Sequence, residues 1–184
     1  MQPAGMSIVE QLRADARAVD ESIRRDTIAA ADTAQRELHT RNLTIARAAC
    51  VPIAGTKAAE YLAGRGLRVG NAAQFSANWP EGVANDAGKV TKGFGPAVVF
   101  DFKTPAGDVV AAQGRYLDPP LFDGKPFKVW TVGALGESVF WTPGARESGL
   151  VTITEAPIDA LSVYVATSLA FRRPRRMKPR RPAM

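Results

Sequence analysis

Leu150-Val151-Thr152-Ile153-Thr154-Glu155-Ala156-Pro157-Ile158-Asp159-Ala160-Leu161-Ser162 is the stretch whose reading decides the fold. Residues 150–154 form a continuous apolar-leaning run, the pattern of a buried parallel strand. Pro157 then suits the first turn of a helix over Pro157–Ala170, because its missing N–H has no partner to lose there. A strand, a tight turn and a helix in that order predict an α/β unit. Open α/β sheets bind ligands at the carboxyl ends of their strands, where Glu155 falls. Asp159 sits in the first helical turn, where the backbone dipole favours its charge. Two such carboxylates suit a hard cation such as Mg²⁺, and Glu155 alone can move a proton. The same residues also fit a plainer role, with Glu155 a solvated cap and Asp159 an N-terminal stabiliser.

Working outward, the period changes to two. Residues 97–102 and Val109–Tyr116 alternate like strands joined by the turn Thr104-Pro105-Ala106-Gly107-Asp108. Residues 128–132 and 138–141 are further strand-like pieces, punctuated by Gly133, Gly136 and Gly144. The Asn-, Gly- and Pro-rich residues 68–95 read as a loop pinned to the core by Phe75 and Trp79. Before it, Thr56 caps a helix over residues 57–63 that Gly64 and Gly66 stop. From Ser7 to Val51 there is neither Gly nor Pro. Leu12, Ala16, Val19 and Ile23 recur there at spacings of four, three and four on one helical face. The stripe shifts phase at Ile28, so one long helix, or two with a break near Asp26 or Thr40, is expected. Its plainest reading is a packing or dimerising arm.

Composition narrows the chemistry. One cysteine, Cys50, excludes an internal disulfide and a zinc site built on several thiolates, and one histidine, His39, leaves little imidazole chemistry. No apolar run approaches a membrane span and no secretory leader is evident, so a cytoplasmic protein without a membrane partner is expected. The net charge of +6 is unevenly spread. Seven of the 24 Lys and Arg lie in residues 171–184 with no acid among them. The remaining 17 face 18 acidic residues, which leaves residues 1–170 at −1.

The segment around Glu155 resembles the first motif of the TOPRIM fold of bacterial-type primases, topoisomerases and related nucleases. That motif is an apolar strand, Glu-Gly, an Asp three residues beyond the Gly, and an Ala-Leu-Ser helix. Glu155, Asp159, Ala160, Leu161 and Ser162 match, with Ala156 where the family has Gly. Upstream, Pro52-Ile53, Gly55-Thr56, Tyr61-Leu62 and Arg65-Gly66-Leu67 are similar to the segment that precedes this domain in phage- and plasmid-type primases. Pro96-Ala97-Val98-Val99-Phe100 with Gln113-Gly114-Arg115-Tyr116-Leu117-Asp118 resembles the primase hairpin that delivers an arginine, and Lys125 and Lys128 lie where a lysine follows it. The resemblance implies template-directed RNA primer synthesis on single-stranded DNA in mobile-element replication, with Mg²⁺ or Mn²⁺ as cofactor. Glu155 would be the catalytic acid beside a metal held with Asp159. Arg115, Lys128 and Lys125 would contact template or nucleotide phosphates, with a replicative helicase as a further partner.

TOPRIM chemistry also needs an Asp-x-Asp pair on a second strand, yet Asp159 is the last acidic residue of this sequence. The three prolines and seven cations after Ala170 do not suit a buried strand. They read as a polybasic arm or, given the abrupt change of composition near Leu169, as a truncated or shifted reading frame, and disorder is expected there. The expected layout is therefore α/β, α+β overall. It comprises a helical arm over 1–50, a β-rich primase-like subdomain over 51–148, the first strand and helix of a TOPRIM domain over 149–170, and a basic tail over 171–184. Such a chain should be impaired in catalysis. The alternative is a non-catalytic module that binds DNA or a replication partner.

Overall fold

The structure, a computed structural model, describes residues 8–67, 70–136, 138–145, 147 and 152–170. A helix of 41 residues, α1 (Ile8–Ala48), runs unbroken through the positions where a break was expected. With no Gly or Pro in it, the phase shift at Ile28 turns the apolar stripe around the axis without interrupting the backbone ladder. Next come β1 (Val51–Pro52), α2 (Lys57–Gly64) and β2 (Gln74–Ser76), then the hairpin β3 (Glu81–Ala84) and β4 (Val90–Lys92). The strands β5 (Ala97–Lys103) and β6 (Val109–Tyr116) follow, then the small hairpin β7 (Leu121–Phe122) and β8 (Lys125–Pro126), β9 (Val129–Gly133) and α3 (Pro157–Ala170). The Thr56 hydroxyl accepts from the Ala59 N–H at the start of α2, and Gly66 takes φ +76° just past its end, whereas Gly64, the other expected stop, is the last helical residue.

Five strands form one antiparallel sheet in the order β1-β2-β5-β6-β9. The class is thus α+β. Residues 68–95, expected to be a loop, instead supply β2 to this sheet and the β3–β4 hairpin over it. These strands are three or four residues long, too short to carry a readable period. Two further expectations are corrected. Residues 138–141 make only an isolated bridge between Lys103 and Val139. Residues 152–154 join no strand, and Ile153 is 91% exposed. A strand needs a hydrogen-bonding neighbour, and no described strand lies beside them. Residues 149–151 and the basic tail lie outside the described residues.

Both faces of the sheet are covered, which explains why residues 97–100 of β5 are buried in succession instead of alternating. On one face Val98 and Phe100 pack against Ala58 and Leu62 of α2 and Ile158 and Leu161 of α3. On the other, Ala97, Val99, Ala112 and Val132 pack against Leu43 and Ala46 of α1 and against Trp79 and Val83. Asn42 fixes this docking: its amide donates to the Ala84 carbonyl (2.7 Å) and accepts from the Ala84 N–H (3.1 Å). Among the described residues no helix is long and apolar enough to cross a membrane.

Candidate functional site

The α3 end of the molecule carries the two carboxylates singled out by sequence. Ile158 and Leu161 anchor the helix in the core, so Asp159, between them, turns outward and is exposed. Glu155 is also exposed, in the bend that leads into the helix. Ala156 occupies that bend without a left-handed backbone, the only described non-glycine with positive φ being Asp123. The Thr154 hydroxyl donates to the Ala156 carbonyl (3.2 Å), and the Ala160 N–H bonds the same oxygen (3.0 Å). Ala is therefore accommodated where a TOPRIM motif has Gly. Two solvent-facing oxygen donors suit a cation that keeps most of its waters. Among the described residues no group of three or more His, Cys, Asp or Glu converges that could enclose one.

Glu155 borders a cavity of about 930 Å³ between α3 and residues 138–145. Its walls include Phe102, Phe140, Trp141 and Tyr164. The Trp141 indole N–H is buried and has no hydrogen-bond partner among the described residues. Phe140 stands edge-on to Phe100 at 5.5 Å, which ties this wall to the core.

Arg115 lies on the same sheet face as α2 and α3, because it pairs with Val98 in the β5–β6 register. Its Nε donates to the Tyr61 hydroxyl at 3.0 Å, and the Arg65 guanidinium sits 4.8 Å from the Tyr61 ring centre. Two cations thus share one tyrosine, and neither has a carboxylate within salt-bridge distance among the described residues. Lys125 and Lys128 are not brought to Arg115. Lys128 precedes β9 on the parity of Trp130, whose ring stacks on Phe94 at the opposite face. Lys125 lies in the β7–β8 hairpin, whose Phe122 contacts that same aromatic group.

A third polar centre was not foreseen. Asp101 of β5 is held by Arg47 of α1 through paired bonds of 3.0 and 2.9 Å, and Gln74 donates to it at 3.1 Å. The signal was available, since Asp101 is the single acid of β5, set between Phe100 and Phe102, and a half-buried charge requires a partner. Beside it, burial and then the Asp101 charge push the Cys50 thiol up to about 11, against the opposing pull of Arg47. Nothing in the sequence marked Tyr61 or Trp141.

The family described as "Domain of unknown function (DUF7146)" matches residues 26–130, more than half of the chain, and the chain belongs to that family. No curated protein and no solved structure matches it. The matched span holds Arg115, Lys125 and Lys128, whereas Glu155 and Asp159 lie beyond it and the Leu12–Ile23 stripe lies before it.

Proposed function

We propose that this is a TOPRIM-primase-like protein that engages single-stranded DNA and nucleotides during replication, with the chemistry centred on Glu155. The observation that carries the reading is that exposed Glu155 in the bend before α3 and exposed Asp159 in its first turn sit at the start of a helix packed over the sheet face that also bears Arg115. Glu155 moves the proton or meets the metal, and Asp159 supports the same cation. Mg²⁺ or Mn²⁺ held there would neutralise phosphate charge during nucleotidyl transfer. Arg115, with no acid neutralising it among the described residues, contacts backbone phosphate, and Tyr61 fixes the direction of its guanidinium. Lys125 and Lys128 contribute from the far side of the sheet. No acid follows Asp159 within residues 160–184, so full activity requires further carboxylates from beyond them.

Primer synthesis on single-stranded DNA with ribonucleotides and Mg²⁺ or Mn²⁺ tests the reading, run beside Glu155→Gln. Synthesis that vanishes in the variant supports a working site. If neither makes primer, salt-dependent single-strand binding that falls several-fold in Arg115→Ala retains the binding half of the proposal. Absence of both sinks it.

A further inference from the structure

Residues 8–37 of α1 extend from the body with no buried side chain described among them. At about 1.5 Å per residue, that is roughly 45 Å of helix in water. An isolated helix is marginal unless an apolar face is covered. Leu12, Val19 and Ile23 are 63%, 58% and 60% exposed, and with Ala16 they make one straight stripe. The spacing of four, three and four is that of the alternating core positions of a two-stranded coiled coil. The stripe also ends before residue 26, where the family match begins.

We infer that the arm pairs with the arm of a second copy of this chain, antiparallel, Leu12 opposite Ile23 and Ala16 opposite Val19. Charge decides the occupant and the direction. Arg13 and Asp20 follow the core residues Leu12 and Val19, while Asp15 and Ser22 precede the core residues Ala16 and Ile23. Parallel arms set Asp15 against Asp20 of the other copy, twice. Antiparallel arms set Arg13 against Asp20 of the other copy, twice, and leave Asp15 beside Ser22. The two-fold axis thus turns a repulsive pair into two attractive ones. Bodies do not collide, because residue 8 of one arm lies opposite residue 27 of the other. Asn42, the first residue buried in the body, is a further 15 residues away, about 22 Å. The two bodies stand at opposite ends of the rod, their α1 roots at Asn42 about 73 Å apart.

Sedimentation equilibrium of the full chain under reducing conditions tests this. A concentration-dependent dimer is expected, which Val19→Glu abolishes while circular dichroism of the body is unchanged. Asp20→Arg should weaken the dimer about tenfold, and adding Arg13→Asp should restore it. A chain that stays monomeric at all concentrations overturns the inference and leaves the stripe to a different partner. An Asp20→Arg variant that dimerises more tightly overturns the antiparallel arrangement, since parallel arms would then set Asp15 against the introduced guanidinium.

Discussion

Asp101 sits on a strand whose neighbours are apolar, and its carboxylate is only tolerable because Arg47 and Gln74 reach it. Removing the guanidinium by Arg47→Ala leaves one amide donor for a half-buried charge and unties α1 from β5. The expected loss is about 1–3 kcal/mol, measured by urea unfolding and discounted for the partial exposure of both groups. The same centre governs Cys50. The unfolded thiol ionises near its ordinary value of 9.0, whereas the folded one holds its proton up to about 11. Between those values the unfolded chain binds fewer protons, so stability falls as pH rises through that window and is fully present below it. Alkylation of Cys50 at pH 8 should therefore be far slower in the folded protein than in urea. Asp101→Asn removes a charge that raises the thiol and should bring its titration down. Arg47→Ala removes one that lowers it and should move it further up. Ultraviolet thiolate titration of the three proteins checks both signs, and a common midpoint would refute the assignment.

Helices and the β5–β6 hairpin were readable because each carries its own local signature. Thr56 caps α2, Pro157 opens α3, and the turn at Thr104 closes as the Thr104 N–H donates to the Asp108 carbonyl and the Asp108 N–H to the Thr104 hydroxyl. The elements that escaped reading owe their form to distant partners. β2 is a strand because Gln74, Phe75 and Ser76 face Val99, Val98 and Ala97, and nothing within residues 68–95 announces this. Conversely, the apolar look of residues 150–154 suggested a strand, and its described part, residues 152–154, has no described neighbour to pair with. Gly114 shows the same dependence within β6. The residue was legible as part of a Gln-Gly-Arg pattern, but its reason lies in Trp79. A β-carbon at Gly114 would overlap the Trp79 indole, whose Nε1 bonds the Trp130 carbonyl (3.0 Å) while the Tyr116 hydroxyl holds the Trp79 carbonyl (3.1 Å). With the ring fully buried and fixed at both ends, Gly114→Ala should cost about 3 kcal/mol in thermal or denaturant unfolding. Asn42→Ala belongs to the same scale: it strips two bonds from the Ala84 backbone where α1 meets β3 and should cost about 2 kcal/mol. A loss under about half a kcal/mol at either position would mean that these contacts do not fix the elements.

At the scale of the molecule, a body packed on both faces of one sheet carries a helix that outruns it. Every buried hydrophobic side chain described begins at Leu43 or later, so the body's core owes nothing to the arm before it. Both halves of the functional proposal also depend on the body alone, since Arg115, Glu155 and Asp159 all belong to elements packed there. Removing residues 2–25 should therefore subtract helix from the far-ultraviolet circular dichroism and leave single-strand DNA binding unchanged. The thermal midpoint needs two concentrations to interpret. Pairing of folded arms adds stability by mass action, so the full chain should melt later as concentration rises. The shortened chain should melt at one temperature throughout, close to that of the full chain when dilute. A midpoint more than about 5 °C lower for the dilute shortened chain would mean that the arm stabilises its own body, since a shift of that size in a domain this large corresponds to more than 1 kcal/mol. Equal melting of both proteins at every concentration would instead remove the second copy as the arm's partner.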